Sequence, residues 1–513
     1  MSSRTLFRNA GVVAAATLVS RILGFVRDVI VAFALGAGPV ADAFFVAFRI
    51  PNLLRRLFGE GSLTMAFVPV YSEVREKQGE EAANRMMRSA FMWVWGILIV
   101  MVLVVELLAS PVTFAIAPGF ADRPEVFGLT TDLLRICFPY IILISGVALC
   151  MGVLNSRGYF LGPALAPSFL NIALIGSALT GYFLGYNVAV CMAFGVLVGG
   201  VFQLGLQLPF LRKSGVRIKG AWKWKDPAVA KMGLLMLPTV FGAAVYQINI
   251  LMGTLLASYL PEGSVSWLYY ADRLVQFPLG VFGIAVSTAA LPDLSRLSAQ
   301  GDMKGFFTSL RAAMGLTLFI CLPSMAGLLG LAEPIIELLF ARGAFDAASV
   351  AGTSAALLAY GWGLPFIALS RPLISAFYAR QDTRTPVVVA VICLGVNIGL
   401  GWFLMQSYGH VGLATAVSVS SLVNCILLYG CLSIRERKER KADFRWPLAA
   451  GTLFKCTLLC VGVYYGAFYS TLAGKWWPVA IPVLAALYFF GAYVLRCDEF
   501  QVFKGIVSRK LNR

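Results

Sequence analysis

Charge is scarce in this chain. Only 13% of its 513 residues are Asp, Glu, Lys or Arg, and 59% are hydrophobic. Soluble domains carry about 25% charged residues, so a soluble fold is excluded and a polytopic membrane protein is expected. The single histidine, His410, excludes a His-based zinc site and a Ser–His triad. The ten cysteines form no CxxC pair. Cys150, Cys191, Cys321, Cys393 and Cys456 lie inside apolar runs and read as small core residues, not redox or metal groups. There is no P-loop and no polar stretch long enough for an ATPase. Transport must then draw on an ion gradient, the membrane potential or substrate flux. No catalytic residue, metal or cofactor is expected, and the chain does not read as an enzyme.

What is abundant is apolar sequence. Runs of about 18–25 residues, punctuated by charge and by Pro or Gly, predict fourteen spans and an all-α integral membrane fold. The first six lie near 9–35, 40–71, 88–114, 129–154, 162–184 and 188–211. Six more lie near 232–258, 265–292, 308–332, 348–378, 386–406 and 411–434, and a last pair near 447–470 and 476–496. The amino terminus lacks an A-x-A cleavage site and Arg21 interrupts its apolar run, so it reads as an uncleaved first span. The second run is too long for one straight crossing, because about 32 residues rise roughly 48 Å against a core of about 30 Å. It is expected to bend at Pro51-Asn52 and at Gly59-Glu60-Gly61.

The net charge of +17 suggests nucleic acid, but the basic residues lie in short loops on alternate sides of the spans. One side holds Arg4, Arg8, Arg75, Lys77, Arg85 and Arg88, the loop from Arg212 to Lys231 and the stretch Arg435 to Arg445. The other holds Arg123, Arg342 and Lys475. This asymmetry places both termini in the cytoplasm. The Arg435–Arg445 stretch reads as an anchor to anionic lipid headgroups.

The halves echo each other at an offset of about 223 residues. Phe58-Gly59 answers Phe282-Gly283, Pro69 answers Pro292, and Leu211-Arg212 answers Ile434-Arg435. Six spans separate the copies, an even number, so the repeats are parallel. Two six-helix lobes around a central cavity are expected, residues 1–212 and 232–435, joined by a basic loop at 213–231. Residues 436–513 supply the last pair of spans and a cytoplasmic tail.

Four arginines fall deep inside these spans: Arg21, Arg27, Arg55 and Arg273. A central arginine costs roughly 2.5–3.5 kcal/mol on insertion scales, so the four together oppose insertion by on the order of 10 kcal/mol. Such a cost is tolerated where an anion must be held at mid-membrane. Guanidinium forks match phosphate oxygens bidentately, which favours a diphosphate ligand over an organic cation. The alternative is that Asp28, Asp42 and Asp272 pair with the arginines and merely stabilise the bundle. Arg21 and Arg27 are six residues apart, so they share a helix face only if the helix is distorted, with Gly24 the place for it.

The run Ser20-Arg21-Ile22-Leu23-Gly24-Phe25-Val26-Arg27-Asp28 resembles the MurJ (MviN) lipid II flippases. So do Ala41-Asp42 through Arg55-Arg56, Ala66-Phe67-Val68-Pro69, Pro118-Gly119-Phe120-Ala121-Asp122 and Gly263-Ser264 through Asp272-Arg273. The likeness runs from span 1 through span 12. It implies the multidrug/oligosaccharidyl-lipid/polysaccharide exporter fold, with MATE-like lobes that alternate between inward-open and outward-open states. The implied substrate is the undecaprenyl-diphosphate-linked peptidoglycan precursor, lipid II, flipped across the bacterial cytoplasmic membrane. Membrane lipids and cell-wall synthesis enzymes are the implied partners. Arg21, Arg27 and Arg273 are implied to bind the diphosphate, with Asp42 and Arg55 also essential, Asp28, Asp272 and Gln276 supporting, and the last two spans forming a groove for the lipid tail. The sequence departs from the family pattern at Gln276, where some members have glutamate. Some members bind sodium between carboxylates of spans 7 and 11. Here span 7 has no acid and span 11 offers only Asn397, so sodium coupling is not supported. Competing readings are a MATE-like ion-coupled antiporter, an exporter of another lipid-linked oligosaccharide, and a scaffold that does not transport.

Overall fold

The computed structural model describes residues 3–57, 63–439, 450–497 and 499–501, and among these every regular element is helical. The first half contains α1 (Ser3–Leu35), α2 (Pro39–Ala47), α3 (Arg49–Leu57), α4 (Leu63–Gln78), α5 (Glu80–Leu107), α6 (Ala109–Ile116), α7 (Pro124–Cys137), α8 (Tyr140–Ser156), α9 (Leu161–Leu184) and α10 (Val188–Lys213). The second half contains α11 (Pro227–Ser258), α12 (Ser264–Pro278), α13 (Ile284–Ala299), α14 (Met303–Gly330), α15 (Ala332–Phe340), α16 (Ala347–Gly361), α17 (Leu364–Ala379), α18 (Arg384–Glu439), α19 (Ala450–Ser470) and α20 (Trp477–Val494). Non-helical backbone at Gly409 divides α18 into two helices. Seven helices among the described residues are long and apolar enough to cross a membrane, eight if α16 and α17, bent by 43°, make one span.

Proline chemistry places several breaks. A proline has no N–H to give the carbonyl four residues earlier, and its ring crowds that carbonyl. Helix α2 ends at Ala47, four residues before Pro51; α5 ends at Leu107, before Pro111; α16 ends at Gly361, before Pro365. The interruption expected at Pro51-Asn52 therefore lies upstream, at Phe48. The expected Gly59–Gly61 bend lies outside the described residues. Between α12 and α13 a π-helical turn spans Leu279–Gly283, directly after Pro278.

Packing divides the chain into two compact units: Met1–Ser266 with Phe340–Ser349, and Trp267–Leu339 with Val350–Arg513. In the first unit Phe67, Tyr71, Met86, Leu149, Val153 and Leu211 form one buried cluster. Helix α11 follows the basic loop in sequence but packs in this unit, against α3, α4, α5 and α6. Lipid gives apolar side chains little reason to cluster, so close approach at small residues carries much of the association. A Cβ on Gly199 of α10 would lie 2.8 Å from the Leu170 side chain of α9, and one on Gly195 would strike Ser177. In the second unit Leu294, Phe306, Leu310, Leu373, Phe377 and Leu428 form one cluster. A second gathers Phe319, Cys456, Cys460 and Tyr488, with the Tyr488 hydroxyl donating to Phe319 O at 2.8 Å.

The basic loop after α10 has no regular structure, but it is firmly held. Buried Arg88 of α5 donates to the carbonyls of Ala221, Arg217 and Lys219 at 2.9–3.1 Å and pairs with Glu81 at 2.8 Å. Trp93 Nε1 donates to Trp224 O, and Lys223 N donates to Ser89 Oγ. Nearby, Arg157 joins the Tyr71 hydroxyl, Ser214 O and Glu80. Glu73 of α4 receives Lys231 of α11 at 2.7 Å and Lys77 at 2.9 Å, and these two ammonium groups hold its carboxyl down at about 2.

Candidate functional site

Helix α1 runs unbroken through Gly24. Six residues at about 100° each leave Arg21 and Arg27 roughly 120° apart around the axis, so the distortion that would align them is absent. Arg21 is exposed. Arg27 turns towards α9, and its surroundings are specific. Its Nε and Nη2 donate to Asp28 Oδ1 at 3.0 and 2.7 Å, and its Nη1 donates to Asn171 Oδ1 at 3.0 Å. The Asn171 amide donates in turn to Ser20 O at 3.1 Å. Gly24 lies opposite this amide, where a Cβ would sit in ordinary contact, 3.6 Å from Asn171 Nδ2. An arginine carries about 2 kcal/mol of rotamer entropy, and bonds on two edges of the guanidinium remove much of it before any ligand arrives. Arg27 pairs with Asp28, as in the alternative reading that set neighbouring acids against the arginines, so part of the charge at this point is balanced within α1 itself.

The other expected residues are held differently. Arg55, half-buried in the last turn of α3, donates from Nε to Asn52 Oδ1 at 3.1 Å. Arg273 lies over the Tyr269 ring, one turn earlier in α12, at 4.6 Å. Asp272 accepts from Gln276 at 3.4 Å. An amide oxygen thus meets Arg55 and a phenol ring meets Arg273, and a cation over an aromatic face gains about 0.5–1 kcal/mol at exposed sites.

Asp42 is 2% exposed. Its Oδ2 accepts from Gly263 N at 2.7 Å, while its Oδ1 accepts from Ser266 N at 2.8 Å and Ser266 Oγ at 2.5 Å. It caps the start of α12 from a distant helix, where a carboxylate meets N–H groups that have no partner within the helix. The connection between α11 and α12 is pinned at its other end as well. Arg123 Nη2 donates to Ser258 O and Leu260 O, and Gly119 N donates to Ser258 Oγ. Any side chain at Gly119 would lie 2.5 Å from the Ser258 backbone. A second fastening joins α1 to the segment before α16: Ala344 N donates to Phe33 O at 2.9 Å, and Gly343 has φ +63° against the same carbonyl.

Sequence reasoning singled out the charged members of these groups and missed Asn171 and Asn52 as partners of Arg27 and Arg55, and Arg123 as the residue that holds the α11–α12 connection. Asn171 was detectable. It is an amide within an otherwise apolar span, and polar residues at such positions are normally bonded to a neighbouring helix. Among the described residues no group of three or more His, Cys, Asp or Glu is arranged to hold a metal ion.

Apolar helices of spanning length, seven or eight among the described residues, define a multi-pass membrane protein. The fold is similar to an inward-facing multidrug resistance MATE family transporter of the MOP superfamily, with TM-score 0.66, 14% identity, and coverage of 84% of this chain and 100% of that one. The particular family is narrower: the family model described as "Lipid II flippase MurJ" matches residues 31–486, and the chain belongs to that family. A Vibrio cholerae protein described as "Probable lipid II flippase MurJ" is 42% identical over 444 residues, 84% of each chain. A solved structure of "Lipid II flippase MurJ, inward closed conformation" matches with TM-score 0.78 and 28% identity, covering 98% of this chain and 99% of that one.

Proposed function

We propose that this chain is a lipid II flippase, carrying the diphosphate-linked peptidoglycan precursor from the inner to the outer leaflet of the cytoplasmic membrane. The observation that carries this reading, in a member of this family, is half-buried Arg27 held between buried Asp28 and buried Asn171. A guanidinium oriented by an amide and a carboxylate inside a span suits a phosphate oxygen pair. Arg21, Arg55 and Arg273 are the further diphosphate ligands, with Asp28, Asp272 and Gln276 as their support. Asp42 acts by fastening the start of α12, since its oxygens already accept from three donors. Transport by alternating access involves no bond-making step, and no residue is assigned a catalytic role. The MATE-like antiporter reading rests on likeness of fold alone, and an exporter of another lipid-linked oligosaccharide has no observation in its favour.

In this reading there are fourteen spans, two parallel repeats of six and a terminal pair whose groove takes the lipid tail, with both termini cytoplasmic. A reporter active only outside the membrane should be silent when fused within Arg212–Lys231 and active near Leu260–Ser264. The reverse pattern overturns the orientation. The function itself is tested by acute depletion of the protein, followed by labelling of lipid II with a reagent that cannot cross the membrane. Labelled precursor should fall severalfold while total precursor rises. Unchanged outer labelling would reject the assignment.

A further inference from the structure

We propose that Asn171 is a positioning residue for the substrate-binding Arg27, setting the guanidinium plane that meets the diphosphate; this rests on the reading of Arg27 given above. Asn171 is 6% exposed, and its amide bridges two points of α1 at the depth of the expected ligand site. Its orientation is determined by chemistry. Ser20 O can only accept and Arg27 can only donate, so a single placement of the amide oxygen and nitrogen satisfies both.

Packing alone does not call for this residue. A small apolar side chain would fill the space opposite Gly24 equally well, without the cost of burying an amide. What the amide adds is a neutral acceptor on the guanidinium edge opposite Asp28. With Asp28 on Nε and Nη2 and Asn171 on Nη1, the plane is held from α1 and α9 together. Neutrality matters here. A second carboxylate would orient Arg27 just as firmly, but it would cancel the charge and repel an anionic ligand. Asn171 orients the fork without adding to the charge that Asp28 already balances.

The experiment is a double-mutant cycle in binding of lipid II to the purified full-length protein, using Asn171→Leu, Arg27→Ala and the pair, with thermal unfolding measured in parallel. Asn171→Leu keeps the branched shape and removes the acceptor. It should weaken binding about tenfold when Arg27 is present and have no further effect in Arg27→Ala, because two residues that act through one contact do not add. Equal losses in both backgrounds would show a scaffold role only and overturn the proposal. So would full affinity in Asn171→Leu alongside a loss in Arg27→Ala. If Arg27→Ala itself binds lipid II as tightly as the unchanged protein, the diphosphate assignment of Arg27 fails, and the positioning role fails with it. Asn171→Asp, which retains an acceptor, is the second variant should leucine impair folding. It should weaken binding more than leucine does, and affinity at the unchanged level would count against the neutrality argument.

Discussion

Arg273→Ala should leave the protein inserted and folded but unable to support growth as the sole copy. Removing a charge from a span lowers the cost of insertion, so protein abundance should not fall. What is lost is the fork over Tyr269. A hydrogen bond to a charged group contributes roughly 1.5–3 kcal/mol, so losing a bidentate contact should weaken substrate binding by about a hundredfold or more. Arg273→Lys should retain part of the activity, since an ammonium keeps the charge but not the planar fork or its stacking on the ring. The measurement is complementation with an immunoblot for protein level, together with outer labelling of the precursor. Normal growth on Arg273→Ala would remove this residue from the substrate site.

Asp42→Ala acts by a different route. The substitution leaves Gly263 N–H, Ser266 N–H and the Ser266 hydroxyl without their acceptor in a buried place. Leaving such donors unsatisfied costs on the order of 3 kcal/mol, about a hundredfold in the equilibrium for local opening. The start of α12 should come loose while the rest of the first unit holds. A cysteine introduced at Ser264, which is 1% exposed in the intact fold, should then react with an impermeant maleimide roughly a hundred times faster than in the parent, and transport should be lost. Asp42→Asn retains one acceptor oxygen and should fall between the two. If the Ser264 position reacts no faster in Asp42→Ala, Asp42 does not fasten this segment, and a direct role in substrate contact returns as the better account.

Much of this architecture was legible in the residues themselves. Hydropathy located the long helices because backbone polar groups in lipid must be satisfied within each segment. The non-helical point in α18 at Gly409 falls where the sequence separates spans 11 and 12. The breaks were harder to read. Pro51, Pro111 and Pro365 end the helix four residues upstream, whereas Pro69, Pro167 and Pro209 sit inside continuous helices. The same local chemistry has two outcomes, because neighbouring helices decide whether the freed carbonyl finds another partner. The face relation of Arg21 and Arg27 was likewise conditional in the sequence, and the unbroken course of α1 settled it.

By itself, then, the sequence determined that the chain lives in a membrane, that its fold is helical and that its charges are rationed. These properties follow from composition, period and the cost of burying charge, all of which are local or additive. Only the tertiary structure decided who holds those charges. It gave Arg27 its amide from a helix 144 positions away in sequence, gave Asp42 the backbone of α12, and clamped the basic loop to Arg88. A hydrogen bond is short and directional. Its partner is set by which helices lie side by side, and no count of residues along the chain carries that information.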